Sequence, residues 1–383
     1  MWLNYLLWLT LALYTVYATI ILCYRKWFKQ LKPFEISADF VPNTSFSIIV
    51  PARNEAVNIG HCIESIFSQQ YPQQLFEVIV VDDHSTDETS SIVRQYQQQY
   101  ANLKLIQLKD VVMGQLMNAY KKKAISTAIE QANGDWIVTT DADCVISDLW
   151  LAHYAAYIQQ YQPVFVAAPV LFINTHSFVS IFQCLDFISL QGITSASVSV
   201  GFHSMCNGAN LAYSKAAFHA VDGFRDIDTK ASGDDMLLMH KIKKQYPKKV
   251  GTLFTPFAIV QTHPMPDWKS FFNQRIRWAS KATDIKDMRI FFVLLLVYGY
   301  NIILLFLPLV AIVKPIAILY WLGLILLKAT TELRFMLPAA TFFRQQSLLK
   351  WFLVMQPVHI FYTVVAGFLG KFGSYQWKGR TVK

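Results

Sequence analysis

The sequence predicts an α/β domain held between membrane-spanning helices, and three observations carry that prediction. Two blocks, one at each end of the 383-residue chain, are nearly free of charge. Between them short apolar runs alternate with stretches of helical periodicity. Two of those runs end directly in acidic residues, Asp82-Asp83 and Asp141-Ala142-Asp143.

A chain that is 54% hydrophobic and 15% charged can bury one sizeable core and still has apolar sequence left over. The surplus lies at the ends, whereas Phe46 to Lys286 is an ordinary soluble mixture. The expected order is a transmembrane helix over 1–24, a soluble domain over 46–266, an interfacial helix over 267–289, a membrane region over 290–370 and a basic tail over 371–383. Met1 to Tyr24 has no charged side chain and is long enough for a hydrocarbon core of about 30 Å. Its cations (Arg25, Lys26, Lys29, Lys32) follow the apolar run, which favours a retained helix over a cleaved signal peptide. The same cations place the soluble domain on the cytoplasmic side of the cell (inner) membrane.

At the other end, Ile290 to Val313 and Trp351 to Gly370 are clear spans. Pro315 to Leu327 is short for a crossing, and Met336 to Phe343 is an interfacial or re-entrant candidate, so two or three crossings both stand. Three would leave the tail of Lys371, Lys378, Arg380 and Lys383 outside, against the positive-inside bias. The net charge of +9 clusters beside the apolar blocks, a pattern that fits anionic headgroups and speaks against nucleic acid as a partner. Five cysteines, Cys23, Cys62, Cys144, Cys184 and Cys206, are widely spaced and odd in number, which indicates neither a disulfide framework nor a zinc site.

Within the soluble stretch, Ser47 to Val50 is a strand ended by Pro51. Glu55 to Gln69 follows as an amphipathic helix with Ile59, Ile63, Ile66 and Phe67 on one face. Val78 to Val81 is the next strand, Thr86 to Tyr100 a helix, Leu103 to Leu108 an alternating strand, Lys121 to Gln131 a helix and Trp136 to Thr140 a strand. Such alternation implies a parallel sheet covered on both faces, with ligands at the carboxyl ends of the strands. The acidic pairs sit at those ends.

Asp141 and Asp143 form a D-x-D, able to offer oxygen ligands to Mg²⁺ or Mn²⁺ and, through it, to two phosphates of a nucleotide-linked donor. An exposed loop is the plainer reading. Its position after a buried strand, near a second acidic strand end, favours the functional one. Asp82 to Asp87 reads as a turn whose helix is capped by Ser85 or Thr86, and a carboxylate there also suits a nucleobase imide or ribose hydroxyl. Lys121, Lys122 and Lys123 form either a solvated face or a partner for the diphosphate.

Asp234 and Asp235 follow Ser232-Gly233 and open the apolar helix Met236 to Ile242. Ser232 is the candidate cap, and carboxylates are favoured at a helix N-terminus. A paired carboxylate is also a candidate general base. Asp267 to Lys281 puts Trp268, Phe271, Phe272, Arg275 and Trp278 near one stripe, as an interfacial helix would.

In this order the motifs resemble the family-2 glycosyltransferases, especially the membrane-bound branch related to cellulose, hyaluronan and poly-N-acetylglucosamine synthases. The matching residues are Pro51-Ala52-Arg53-Asn54-Glu55, Val81-Asp82-Asp83, the K-x-x-A of Lys121 to Ala124, Asp141-Ala142-Asp143 and the Q-x-x-R-W of Gln274 to Trp278. The resemblance covers about Ser47 to Trp278 and the flanking spans, and implies a GT-A-type, Rossmann-like nucleotide-sugar-binding domain. It implies that Pro51, Glu55, Asp83, Lys121 and Asp141 bind the nucleotide-sugar, with Asp143 and Asp141 at the metal. Gln274, Arg277 and Trp278 would close over donor and acceptor, and Asp235, with Asp234, would be the catalytic base. The family usually has E-D where this chain has Asp234-Asp235. Cys206-Asn207-Gly208 resembles the loop before the acceptor site.

The implied reaction is a single in-line displacement with inversion, from a nucleotide-sugar, most commonly a UDP-sugar, to a lipid or growing glycan. A nucleotidyltransferase would need a Gly-rich phosphate loop after the first strand, and Pro51 to Glu55 lacks one. A non-catalytic scaffold would be expected to lose Asp141, Asp143 or Asp235. A polyprenyl-phosphate sugar synthase shares the sheet, but the Q-x-x-R-W helix argues against it.

Overall fold

The computed structural model describes residues 2–112, 119–203, 205–229, 233–281, 287–373, 375–377 and 380–382. The chain forms two compact units. One comprises Lys32–Ile173 and Ser204–His263; the other comprises Met1–Leu31, Asn174–His203 and Pro264–Lys383.

The first unit is built on a seven-stranded sheet. Its opening half contains β1 (Phe46–Ala52), β2 (Phe76–Asp82), β3 (Leu103–Gln107) and β4 (Trp136–Thr139), all parallel and ordered β3-β2-β1-β4. Ile48, Ile49, Val50 and Val78 to Val81 are wholly buried, as expected for parallel strands covered on both faces. Each such side chain contributes roughly 1.5–3 kcal/mol. Helix α2 (Ile59–Phe67) buries Ile59, Cys62, Ile63, Ile66 and Phe67, the face its periodicity predicts. α3 (Thr89–Gln97), α4 (Leu108–Val112) and α5 (Tyr120–Glu130) complete this half.

A polar knot ties the amino ends of the strands. Glu77 Oε1 accepts Ser47 Oγ–H at 2.7 Å and the Asn133 amide at 2.5 Å, while Lys104 Nζ lies 2.7 Å from Oε2. Burial opposes the Glu77 charge, but the Asn133 amide, Lys104 and Ser47 outweigh it and hold the carboxyl below its ordinary value. Gly134 lies so close to β1 that a Cβ would sit 2.5 Å from Phe46 C, so only glycine passes there.

Beyond β4 the sheet becomes mixed. After α6 (Trp150–Tyr161) come β5 (Phe165–Ala167) and β6 (Val170–Phe172), and after an excursion into the second unit comes β7 (Leu211–Ser214). β7 runs antiparallel to both β4 and β5. The chain returns at the carboxyl edge and enters the sheet from that side, so Leu211 stands opposite Thr139 and the loop before it stays on the rim that carries Asp141. α8 (Lys215–Ala220) and α9 (Met236–Gln245) follow. β8 (Val250–Thr252) then closes the order β4-β7-β5-β8, and β9 (Val260–Thr262) pairs with β6 in a separate two-stranded sheet.

The second unit is helical: α1 (Trp2–Gln30), α7 (Phe178–Ser199), α10 (Trp268–Ser280), α11 (Met288–Val310), α12 (Ala317–Phe342) and α13 (Gln356–Phe372). Among the described residues three stretches, Leu3–Gln30, Phe178–Ser199 and Met288–Val310, are long and apolar enough to cross a membrane. The pieces Pro315–Leu327 and Met336–Phe343 are not separate; α12 joins them, covering Ala317–Phe342. The charges that interrupt its apolar pattern satisfy each other inside the unit. Lys328 Nζ lies 2.8 Å from Glu332 Oε1 and donates to Gln356 Oε1 at 2.7 Å, Gln356 Nε2 donates to Glu332 Oε2 at 2.8 Å, and the Tyr17 hydroxyl donates to Glu332.

The soluble domain expected over 46–266 from its mixed composition includes 174–203, which here groups with the helical unit. There Asp186 accepts Arg275 Nε at 3.1 Å and Nη2 at 2.8 Å, together with the Tyr362 hydroxyl. The tail forms a hairpin of β10 (Tyr375–Trp377) and β11 (Arg380–Val382). Lys378, Lys383 and the candidate cap Ser232 lie outside the described residues.

Candidate active site

The functional candidates of the α/β unit gather at the carboxyl edge of β1, β2 and β4. The loop after β1 is stitched to the loop after β2. Asn54, at φ 52°, accepts Thr86 N–H at 2.8 Å and donates its own N–H to Ser85 Oγ at 2.9 Å. Glu55 N–H reaches Thr89 Oγ1 at 2.8 Å, and Arg53 Nη1 donates to Asp83 O at 2.8 Å. Ser85 and Thr86 are therefore used in holding the β1 loop and do not cap α3, which begins at Thr89 with Glu88 before it and Asp87 Oδ1 accepting Thr89 N–H at 3.0 Å.

Asp82 and Asp83 divide their work. Asp82 builds the turn, accepting Ser85 N–H at 2.9 Å and the Ser90 hydroxyl. Asp83 is buried and carries His84 Nδ1 at 2.9 Å on one oxygen, with Arg53 Nη1 3.8 Å from the same atom. Pro51 is half-buried in β1, and Glu55 Oε2 accepts Asn58 Nδ2–H at 3.0 Å.

The centre of the edge is Lys121, on the first turn of α5. Its ammonium lies 2.6 Å from Asp141 Oδ1 and 3.3 Å from Asp234 Oδ2. Burial opposes its charge, but Asp141 and Asp234, followed by Asp235, hold its pKa above the ordinary lysine value. Asp235 caps α9 itself, with Oδ1 accepting Met236 N–H at 2.7 Å, while Oδ2 accepts Gly208 N–H at 3.2 Å. Gly208 is fixed in turn by Thr139 Oγ1, which donates to its carbonyl at 2.8 Å. A Cβ on Gly208 would stand 3.1 Å from Asp234 Oδ2 and 3.4 Å from Lys121 Nζ, so its bareness lets the three segments meet.

Asp143 turns to β9, accepting Thr262 Oγ1–H at 3.2 Å. Nothing in the sequence signals Thr262, because the pairing of β9 with β6 is not local. The neighbouring thiols Cys62 and Cys144 are buried, and burial, reinforced by Asp143 and Asp141, pushes both up and out of reach of ionisation at neutral pH.

Among the described residues no three His, Cys, Asp or Glu side chains form a closed cation cage. Two carboxylates two residues apart, with the Asp141 side chain 38% exposed, make instead an open donor set. That set fits Mg²⁺ or Mn²⁺, which bind through one or two protein carboxylates and complete their shell with water and substrate phosphates.

Lys121, Asp141, Asp234 and Asp235 are thus brought together, with Asp143 two residues along the same loop. Gln274, Arg277 and Trp278 lie on α10 of the helical unit. There it is Arg275 that is buried, its guanidinium 4.2 Å from the centre of the Trp278 ring and bonded to Gln274 Oε1 at 2.7 Å.

The sequence signature of glycosyl transferase family group 2 matches residues 136–369, more than half of the chain, and that of glycosyl transferase family 2 matches residues 47–183. The chain belongs to the family-2 glycosyltransferases. Among curated relatives of this glycosyltransferase, the beta-monoglucosyldiacylglycerol synthase of a Synechocystis species is 27% identical over 250 residues, 63% of this chain and 48% of that one. A probable glycosyltransferase of Bacillus subtilis is 25% identical over 236 residues, 61% of this chain and 54% of that one. The family-2 chain therefore spans about half the length of these relatives. A solved mannosyltransferase of Pyrobaculum calidifontis, in complex with GDP-Man and Mn²⁺, is 19% identical with a TM-score of 0.58, covering 95% of this chain and 98% of that one. That likeness is one of fold.

Proposed function

We propose that this glycosyltransferase moves a sugar from a nucleotide-sugar, a UDP-sugar by preference, to a lipid or growing glycan at the cytoplasmic face of the cell (inner) membrane, with inversion and with Mg²⁺ or Mn²⁺. The observation that carries the reading is the meeting of Lys121, Asp141, Asp234 and Asp235, drawn from three separate segments, at the edge where this sheet class binds ligands.

In this reading Pro51, Glu55 and Asp83 hold the nucleoside, and Asp141 and Asp143 hold the cation. A bound cation supplies charge neutralisation to the leaving diphosphate. Lys121 faces the same phosphates. Asp235 takes the proton of the acceptor hydroxyl as its oxygen bonds to the anomeric carbon and the bond from that carbon to the phosphate oxygen breaks, leaving the electron pair on the diphosphate. Its two backbone N–H bonds aim the carboxylate, as a base held within reach of its proton requires. Asp234 keeps Lys121 beside it. The part of Gln274, Arg277 and Trp278 rests on the resemblance.

A membrane setting is supported by the three helices long and apolar enough to cross and by the glycolipid product named for the Synechocystis relative. The test is release of nucleoside diphosphate by the protein in lipid, across a panel of nucleotide-sugars with Mn²⁺ or Mg²⁺. Metal-dependent release from one donor, abolished in Asp141→Ala and Asp235→Asn, is the expected result. No release from any donor, with membrane lipids supplied as acceptors, overturns the reading.

A further inference from the structure

Lys122 is among the largest wholly buried side chains of the chain, at 2% exposure. A lysine is almost never buried unless its ammonium is paired. Its Nζ donates to Ile227 O at 2.8 Å. The same stretch of backbone is gripped from a second helix: Lys241 Nζ, on α9, donates to Gly223 O at 2.7 Å and to Arg225 O at 2.8 Å. Two ammonium groups thus take the carbonyls of residues 223, 225 and 227.

Those carbonyls belong to a run of turns over 221–229. Asp222, Gly223 and Asp226 are left-handed, at φ 54°, 49° and 68°, and the run closes on itself through Gly223 N–H to Phe218 O at 2.9 Å, Arg225 N–H to Asp222 O at 3.0 Å and Ile227 N–H to Phe224 O at 3.0 Å. Its internal bonds use amides and leave alternate carbonyls for the lysines. A few residues further on, the chain delivers Asp234 and Asp235.

The helices that grip the run are the two that carry the site. α5 holds Lys121, which bridges Asp141 and Asp234, and successive positions on a helix point about 100° apart, so the neighbouring Lys122 reaches in another direction. α9 is capped by Asp235.

We propose that Lys122, assisted by Lys241, is a positioning residue that fixes the run 221–229 and thereby the approach of the Asp234-Asp235 pair to Lys121 and Asp141. The proposal rests on the catalytic reading of Asp234 and Asp235. Donor contacts at Asp83, Asp141 and Lys121 lie outside the run 221–229, and Lys121 keeps its 2.6 Å pairing to Asp141 when Asp234 shifts, so losing the clamp lowers turnover and leaves donor affinity in place.

The experiment compares wild type, Lys122→Met, Lys122→Ala and Lys241→Met in lipid. Hydrogen exchange is followed over 221–229 and 233–237, and nucleoside diphosphate release is followed against donor concentration. The expected result is at least tenfold faster exchange over the run in both Lys122 variants. Their kcat falls about 10- to 100-fold at an unchanged donor KM, as a misplaced reacting group gives. A smaller fall of the same kind is expected for Lys241→Met. Lys122 also borders an open cleft of about 740 Å³ together with Lys123, His219 and Arg225. Propylamine, which replaces the atoms deleted in Lys122→Ala, should therefore restore part of the lost turnover.

Unchanged exchange over 221–229 in Lys122→Met overturns the clamp. A fall in Tm with kcat and KM moving together, and no rescue by the amine, overturns it in favour of a purely structural lysine. If wild type releases nothing from any donor, the catalytic reading fails while exchange still decides the clamp.

Discussion

Charges are gathered in two different ways in this molecule. In the helical unit Asp186 and Arg275 pair with side chains 3% exposed, and Lys328, Glu332 and Gln356 close their polar atoms on one another. At the carboxyl edge of the α/β unit, Asp141, Asp234 and Asp235 all act on the single ammonium of Lys121, and Asp141 remains 38% exposed. The first arrangement is balanced and shut; the second has surplus negative charge and an opening. A balanced group holds helices together, whereas an open surplus of negative charge leaves carboxylate oxygens for a cation, so charge balance separates the two arrangements better than burial does.

Substitutions sharpen this contrast, and the largest effect belongs to the open group. Asp235→Asn keeps an N-cap for α9 but removes the carboxylate proposed as proton acceptor, so nucleoside diphosphate release should fall by about 10²–10⁴-fold while Tm stays near wild type. A large fall in Tm with normal turnover per folded molecule would place Asp235 with the structural groups. In the closed group the order reverses. Arg275→Met strands the Asp186 carboxylate and costs about 3–5 kcal/mol of stability, and adding Asp186→Leu should recover most of it, as read by unfolding in detergent.

Lys121→Met stands between these two. It removes the only lysine paired with both Asp141 and Asp234 among the described residues, and turnover should fall by about 10²-fold. The same change frees Asp141 for a cation, so Mn²⁺ bound in the absence of donor, followed by electron spin resonance, should increase. Weaker Mn²⁺ binding would show that Lys121 organises the cation site and does not compete for it.

The smallest effect concerns Glu77, whose carboxyl is held below its ordinary value in the folded chain. Its stabilisation is complete above the unfolded-state pKa, near 4.5, and is lost as pH falls through the lowered folded-state value. Glu77→Gln should thus cost about 1–3 kcal/mol at pH 7, and the gap to wild type should narrow as pH drops below about 4.5. A gap independent of pH would assign the loss to packing.

The first half of the sheet is legible in the sequence because β1, β2 and β4 are short apolar runs and β3 alternates, with helical periodicity between them, a local pattern. The reversed β7 and the pairing of β9 with β6 are set by contacts between distant segments and leave no periodic trace. α12 looks broken in sequence because Lys328 and Glu332 interrupt its apolar run; partners on α1 and α13 make those charges acceptable. At the site, Asp141 and the Asp234-Asp235 pair stand out by position, whereas Lys121 among its three lysines is picked out by the resemblance. By contrast, Ser85 and Thr86 look like caps and serve as loop ties, and Thr262 beside Asp143 carries no local signal.

The excursion of residues 174–203 between β6 and β7 has a consequence for how the chain is made. The sheet's central strand β4 meets β7 only after that helical stretch has been synthesised, so the α/β unit cannot close while the ribosome is still short of residue 214. No single cut isolates this unit. A fragment ending before α7 lacks β7, β8 and α9 with its Asp235 cap, and one running through them carries α7 with it.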